Sequence, residues 1–159
     1  MNQPVVRVST FADLDGRTAY RLWQLRESVF VVEQDCPYLE LDGRDVDPGT
    51  LHVWVADEDV PVGYLRILED PDGPARVGRV LVAASARGRG IAGTLMQRAL
   101  VEIGTRPSVL DAQSYLADWY RRFGYQQDGQ EFLEDGIPHI PMRRLGQPAG
   151  PTGWANRLG

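Results

Sequence analysis

Lysine is absent from the 159-residue chain, so all 17 basic residues are arginine. That excludes the phosphate-gripping lysine of a P-loop and the Schiff-base lysine of pyridoxal enzymes and aldolases. Cys36 is the single cysteine, which leaves no intrachain disulfide, no cysteine-rich metal site, and a fit to a reducing compartment. The two histidines, His52 and His139, have no His-Glu-x-x-His spacing, so a zinc hydrolase is not expected and no metal is assigned. Long apolar runs are also missing, and Met1 to Arg7 has no apolar signal core. The expectation is a cytoplasmic protein with no membrane partner. Positive charge is in deficit: 22 acidic residues give a net charge of −5, the wrong sign for covering a nucleic-acid backbone, so any anion site must be local.

What is present reads as one globular domain over residues 1–145. A Gly-, Pro- and Asn-rich tail over 146–159 is expected to be flexible. Val5 to Val8 reads as a strand and Leu14 to Phe30 as a helix capped by Asp13. Glu33 to Thr50 is an acidic, turn-rich loop. Leu51–Ala56 and Val62–Leu68 read as a hairpin, and Val77–Val82 as the next strand. Ala92, Leu95, Met96, Ala99, Leu100 and Ile103 give the clearest helical period. A strand at Val109–Leu110, a helix at Leu116–Phe123, and strands over Tyr125–Leu133 and Ile137–Arg144 complete the chain. The fold class is α/β (α+β), a mixed sheet in which Val77 to Gln113 form one parallel βαβ unit.

Between that strand and helix lies Ala84-Ser-Ala-Arg87-Gly88-Arg89-Gly90-Ile91-Ala92-Gly93. Glycines admit close backbone approach, and a helix start offers unpaired N–H groups to phosphate. Gly88, Gly90 and Gly93 also satisfy the dinucleotide pattern Gly-x-Gly-x-x-Gly, with Asp111 near the ribose-acid distance. The tight strand-to-loop turn of that pattern is missing, because Ala83 to Arg87 intervene. Too little chain follows Asp111 for a second half-sheet.

Read as Arg87-x-x-Gly90-x-Ala92 after Val80-Leu81-Val82, the segment resembles the pyrophosphate loop of the GCN5-related N-acetyltransferases (GNAT). Tyr120-x-x-x-Gly124-Tyr125 is similar to that family's late helix signature. Val29-Phe-Val-Val-Glu33-Gln34, Asp42-Gly-Arg-Asp45 and Glu134-Asp-Gly-Ile-Pro-His139 resemble its ElaA-like branch. The resemblance implies a mostly antiparallel twisted sheet flanked by helices, splayed between the fourth and fifth strands to hold acetyl-CoA, and an amine acceptor. It implies coenzyme contacts from Val80, Leu81, Val82, Arg87, Gly88, Arg89, Gly90, Ile91, Ala92, Gly93, Gln113 and Tyr120.

Acyl transfer needs a neutral amine, oxyanion donors and a proton for the leaving thiolate. Tyr120 is the expected donor near sulfur, and His139 and Glu33 are the candidate bases. Glu33, Asp42 and His52 are candidates for the acceptor side, the acidic loop steering a cationic amine. Plainer roles stand beside these: Tyr120 as packing, His139 bonded to backbone, His52 as a core residue. A non-catalytic acyl-CoA-binding module is the alternative function, and a homodimer is left open.

Overall fold

The computed structural model describes residues 4–71 and 73–146, so most of the expected tail lies outside the described residues. After strand β1 (Val6–Ser9), helix α1 (Gly16–Arg26) starts at Asp15, whose carboxylate accepts from the Thr18 amide at 2.7 Å. Asp15 is the N-cap, not Asp13. Asp13 is tied into a preceding single turn, where the Leu14 amide donates to the Phe11 carbonyl. Helix α1 buries Ala19, Leu22, Leu25 and Arg26. It then widens into a π-helical segment over Glu27–Glu33, with the Gln34 amide bonded to Val29 and that of Cys36 to Val31. Such widening turns the following side chains to new directions and recurs at functional sites. Residues 34–50 are irregular apart from a turn at Arg44–Val46.

Strands β2 (Leu51–Asp57) and β3 (Val60–Leu68) form a hairpin whose two central residues, Glu58 and Asp59, both have positive φ, the turn that matches strand twist. Then come β4 (Ala75–Val82), α2 (Ile91–Ile103), β5 (Ser108–Gln113), α3 (Ala117–Arg121), β6 (Gln126–Gln127), β7 (Phe132–Glu134) and β8 (Ile137–Arg144). The sheet runs β1-β2-β3-β4-β5-β8-β6, with β7 also paired to β8. Among the described residues only β4 and β5 pair in parallel. The expected continuous strand over 125–133 is broken, and Pro141 gives the reason. Its carbonyl takes the Asp128 amide at 2.8 Å, but it has no N–H to offer to that same edge, so the ladder stops and resumes at β7.

The two faces of the sheet bury different partners. Val53, Val55, Leu65, Ile67, Ala75, Val77, Leu110, Ala112 and Met142 meet Ile91, Leu95, Met96, Ala99 and Ile103 of α2. Burying each such large side chain contributes about 1.5–3 kcal/mol. Gly63 permits the close seat of α2, because a Cβ there would come within 2.5 Å of Ile91. The opposite face packs Trp54, Tyr64 and Leu81 against Leu22, Leu25 and Val29. One irregularity changes the alternation: β4 slips register against β3 between Tyr64 and Arg66, with Arg79 at φ 55°. Val77 and Val80, three residues apart, consequently both pack on the α2 side, as a β-bulge requires.

Candidate active site in the splay between β4 and β5

The parallel register of β4 and β5 is confined to Ala75↔Ser108 and Arg76↔Val109. Beyond it the strands part, and a cavity of about 1080 Å³ opens between them. Val80, Leu81 and Val82 line one side, Gln113 and Tyr120 the other. Val29 and Phe30 of the π segment with Leu116 and Trp119 supply apolar walls. An extended chain laid along the freed edge of β4 would find main-chain hydrogen-bonding groups there.

Past β4 the chain makes a turn at Ala84–Ala86 and enters α2 through Gly88 (φ 82°) and Gly90 (φ 76°), conformations that side chains strain. No side chain caps Gly90, and the first helical bond is from Thr94 to the Gly90 carbonyl. The amides of Ile91, Ala92 and Gly93 are thus left to an external acceptor at the positive end of the helix dipole. This is the shape and the donor set that a pyrophosphate fits. Arg87 and Ala92 also line the cavity; Gly88, Arg89, Gly90, Ile91 and Gly93 do not.

Arg87 forks onto Glu33 with two contacts of 2.8 Å, and that hydrogen bond holds the Glu33 carboxyl below its usual range. Arg89 is turned away from the cavity and pairs with Asp57 at 2.8 and 3.1 Å.

Tyr120 is buried, with its ring edge-on to Trp119 and Tyr125. The hydroxyl of Tyr125 is bonded to Ser108 at 2.7 Å and that of Tyr64 to His52 at 2.6 Å, whereas the Tyr120 hydroxyl has no protein partner among the described residues. Burial pushes its phenol pKa upward, so it keeps its proton at neutral pH and can act as a donor. His139 sits opposite Gln113 in the β5–β8 ladder. Its Nδ1 lies 2.7 Å from the Ile137 carbonyl, and its ring stacks on Phe132. A carbonyl only accepts, so Nδ1 carries hydrogen and Nε2 of the neutral ring holds the lone pair. Glu134 lies 3.8 Å from that Nε2.

The loop over 34–47 is fastened to the sheet by ions. Glu40 accepts from Arg26 at 2.7 Å and Arg79 at 2.8 Å. Asp45 accepts from Arg26 at 2.6 Å and Arg66 at 2.9 Å, and Asp42 takes two further bonds from Arg66. Hydrogen bonding to Arg66 holds the Asp42 carboxyl far below its ordinary range. Asp42 does line the cavity, but its carboxylate is engaged by Arg66. His52 corrects the expectation of an acceptor-side role. It is fully buried, its Nε2 donating to the Asp45 carbonyl at 2.9 Å and its Nδ1 accepting from Tyr64. Neither nitrogen is free, and His52 acts as a strut under the loop. Arg26 and Arg66 could have been found from the sequence, since each interrupts an apolar face and a charge there must be paired.

Comparison with known proteins fits this geometry. A family model described as an acetyltransferase (GNAT) domain matches residues 28–145. A UPF0039 protein of Mycobacterium tuberculosis is 48% identical over 138 residues, covering 84% of this chain and 88% of that one. Protein ElaA of Escherichia coli is 39% identical over 140 residues, 84% of this chain and 91% of its own. Among solved structures, an acyl-CoA N-acyltransferase from Pseudomonas aeruginosa superposes with TM-score 0.86 at 39% identity, over 90% of this chain and all (100%) of that one. Escherichia coli ElaA superposes with TM-score 0.84 at 35% identity, over 89% and 99%.

Proposed function

Because the chain belongs to the GNAT acetyltransferase family and to its ElaA-like branch, we propose that it is an N-acetyltransferase moving an acetyl group from acetyl-CoA directly to an amine. The observation that carries this reading is the splay itself. A freed strand edge, an uncapped helix start and a protonated tyrosine converge on one cavity. Acetyl-CoA, when bound, supplies a thioester whose acyl carbon the amine attacks as the carbon–sulfur bond breaks.

The residues divide the remaining work. The amides of Ile91, Ala92 and Gly93, with Arg87, hold the pyrophosphate. Val80 to Val82 and Gln113 bind the pantetheine arm, and a backbone N–H near Leu81 or Val82 stabilises the oxyanion. His139 Nε2 takes the amine proton. Glu33 is the second candidate for that step; without coenzyme Arg87 engages both of its oxygens. The Tyr120 hydroxyl donates a hydrogen bond toward sulfur as the thiolate leaves. A thiol pKa near ~8.5 makes hydrogen bonding there sufficient without full proton delivery.

Excess acetyl-CoA is expected to raise the melting temperature, as any ligand selective for the folded state does. NADH at the same concentration should not, and the reverse pattern would restore the dinucleotide reading of Gly88, Gly90 and Gly93.

A further inference from the structure

The polar face of the sheet carries Arg76 as well as the arginines that fasten the loop. Arg66 of β3, Arg76 and Arg79 of β4, Asp111 and Gln113 of β5, and His139 of β8 all line the cavity. The residues alternating with them, Leu65, Ile67, Ala75, Val77, Leu110, Ala112 and Met142, face α2. The bulge at Arg79 is what brings its side chain to the same side as Arg76.

Their hydrogen-bonding capacity is unequally spent. Both Nη atoms of Arg66 are committed to Asp42 and Asp45. Arg79 gives Nε and Nη2 to the carboxylate and carbonyl of Glu40, while its Nη1 has no hydrogen-bond partner among the described residues. Arg76 makes one bond, Nη1 to Asp111 at 3.2 Å, and its side chain is 38% exposed. Asp42 comes within 3.6 Å of Arg79 Nη2 and Asp111 pairs with Arg76 Nη1, but no hydrogen bond among the described residues takes Arg79 Nη1 or the Nη2 of Arg76. A guanidinium has no acceptor role, so a ligand reaching these atoms must offer oxygen lone pairs, and an anion meets them best.

We infer that the acceptor is an amine that also carries an anionic group, bound by Arg76 and Arg79 at the closed end of the β4–β5 splay. This rests on the acyl-transfer reading of the same cavity and narrows its substrate class. Arg79 stands two residues before Leu81, about 7 Å by strand rise, so a few bonds separate the reacting nitrogen from the anion. The ligand is a short amino acid or aminoalkyl phosphate rather than a polyamine.

The test compares 3-aminopropanoate, 4-aminobutanoate and 5-aminopentanoate with propylamine, butylamine and pentylamine. The arm that tells phosphate from carboxylate is 2-aminoethyl phosphate. Each is assayed for thiol release with acetyl-CoA and for equilibrium binding to the CoA-loaded protein. At least one anionic amine should exceed its neutral counterparts by tenfold or more in kcat/KM or affinity. In Arg76→Gln and in Arg79→Gln that ratio should fall at least tenfold, with the acetyl-CoA melting shift retained as the check on folding. Equal treatment of anionic and neutral amines, or an unchanged ratio in both variants, would overturn the inference while leaving the acyl-transfer reading intact. Absence of any acetyl-CoA shift in the unmodified protein would overturn that reading and this inference with it.

Discussion

Glu33 and Arg87, 54 positions apart in the chain, meet in a two-point ion pair at 2.8 Å across the mouth of the cavity. One belongs to the π segment that follows α1, the other to the loop before α2. On the proposed reading a pyrophosphate at the helix start would compete with Glu33 for the guanidinium, linking coenzyme binding to release of the Glu33 carboxylate. Arg87→Ala should raise the KM for acetyl-CoA by about tenfold, the scale of one lost charge-assisted contact, with kcat nearly unchanged. Glu33→Gln should lower that KM modestly. Steady-state kinetics with acetyl-CoA varied checks both, and an unaltered KM in Arg87→Ala would leave phosphate binding to the backbone amides.

Tyr120 and Tyr64 give opposite expectations from the same substitution. The Tyr120 hydroxyl has no protein partner among the described residues, so Tyr120→Phe should keep the fold and reduce kcat by roughly ten- to a thousandfold, as for a lost transition-state donor. Tyr64→Phe removes a buried bond to His52 and should cost about 1–3 kcal/mol of stability, with the Tyr120 kinetics serving as contrast. Wild-type turnover in Tyr120→Phe would assign the proton to water.

His52 predicts a pH dependence of stability. Burial lowers its pKa in the folded state, so the unfolded chain binds more protons once pH falls through the ordinary histidine value of ~6.5. Stability contributed by neutral His52 is present above that value and lost as pH falls below it toward the depressed folded pKa. Melting temperature should therefore decline from about pH 6.5 downward. His52→Gln, though less stable throughout, should flatten that limb. An unchanged slope would place the titration elsewhere.

Asp45 should be among the costliest surface-loop positions to change. It is buried between Arg26 and Arg66, and these partners outweigh the burial that opposes its charge, lowering its pKa. Asp45→Asn leaves two buried cations short of a counter-charge and should destabilise by about 3–5 kcal/mol in denaturant titration. A loss under 1 kcal/mol would mean that Glu40 and Asp42 suffice.

Local pattern carried much of this molecule, and its failures have physical reasons. The α2 period and the glycines before it lay open in the sequence, because one helix face is buried along its whole length. The β2–β3 hairpin was equally legible from Asp57-Glu58-Asp59. The π segment was not, since Val29 to Val32 read as ordinary helix and its widening depends on tertiary packing. The Arg26–Glu40–Arg79 clamp joins residues 14 and 39 positions apart, beyond any local period. His52 misled because alternation with Trp54 correctly put both on one face but could not tell a cavity wall from a strut under a loop. Arg79 was not legible as a cavity-lining residue because a bulge changes which face a side chain takes without changing composition.

Transfer itself is the central claim, and one measurement addresses it: mass spectrometry of an amine panel incubated with acetyl-CoA and the protein, with thiol release followed in parallel. Acyl transfer predicts an N-acetylated amine formed mole for mole with free CoA, strongly reduced in Tyr120→Phe. Saturable acetyl-CoA binding with no acetylated product across the panel, and thiol release no faster than without protein, would contradict it and make the chain an acyl-CoA-binding module.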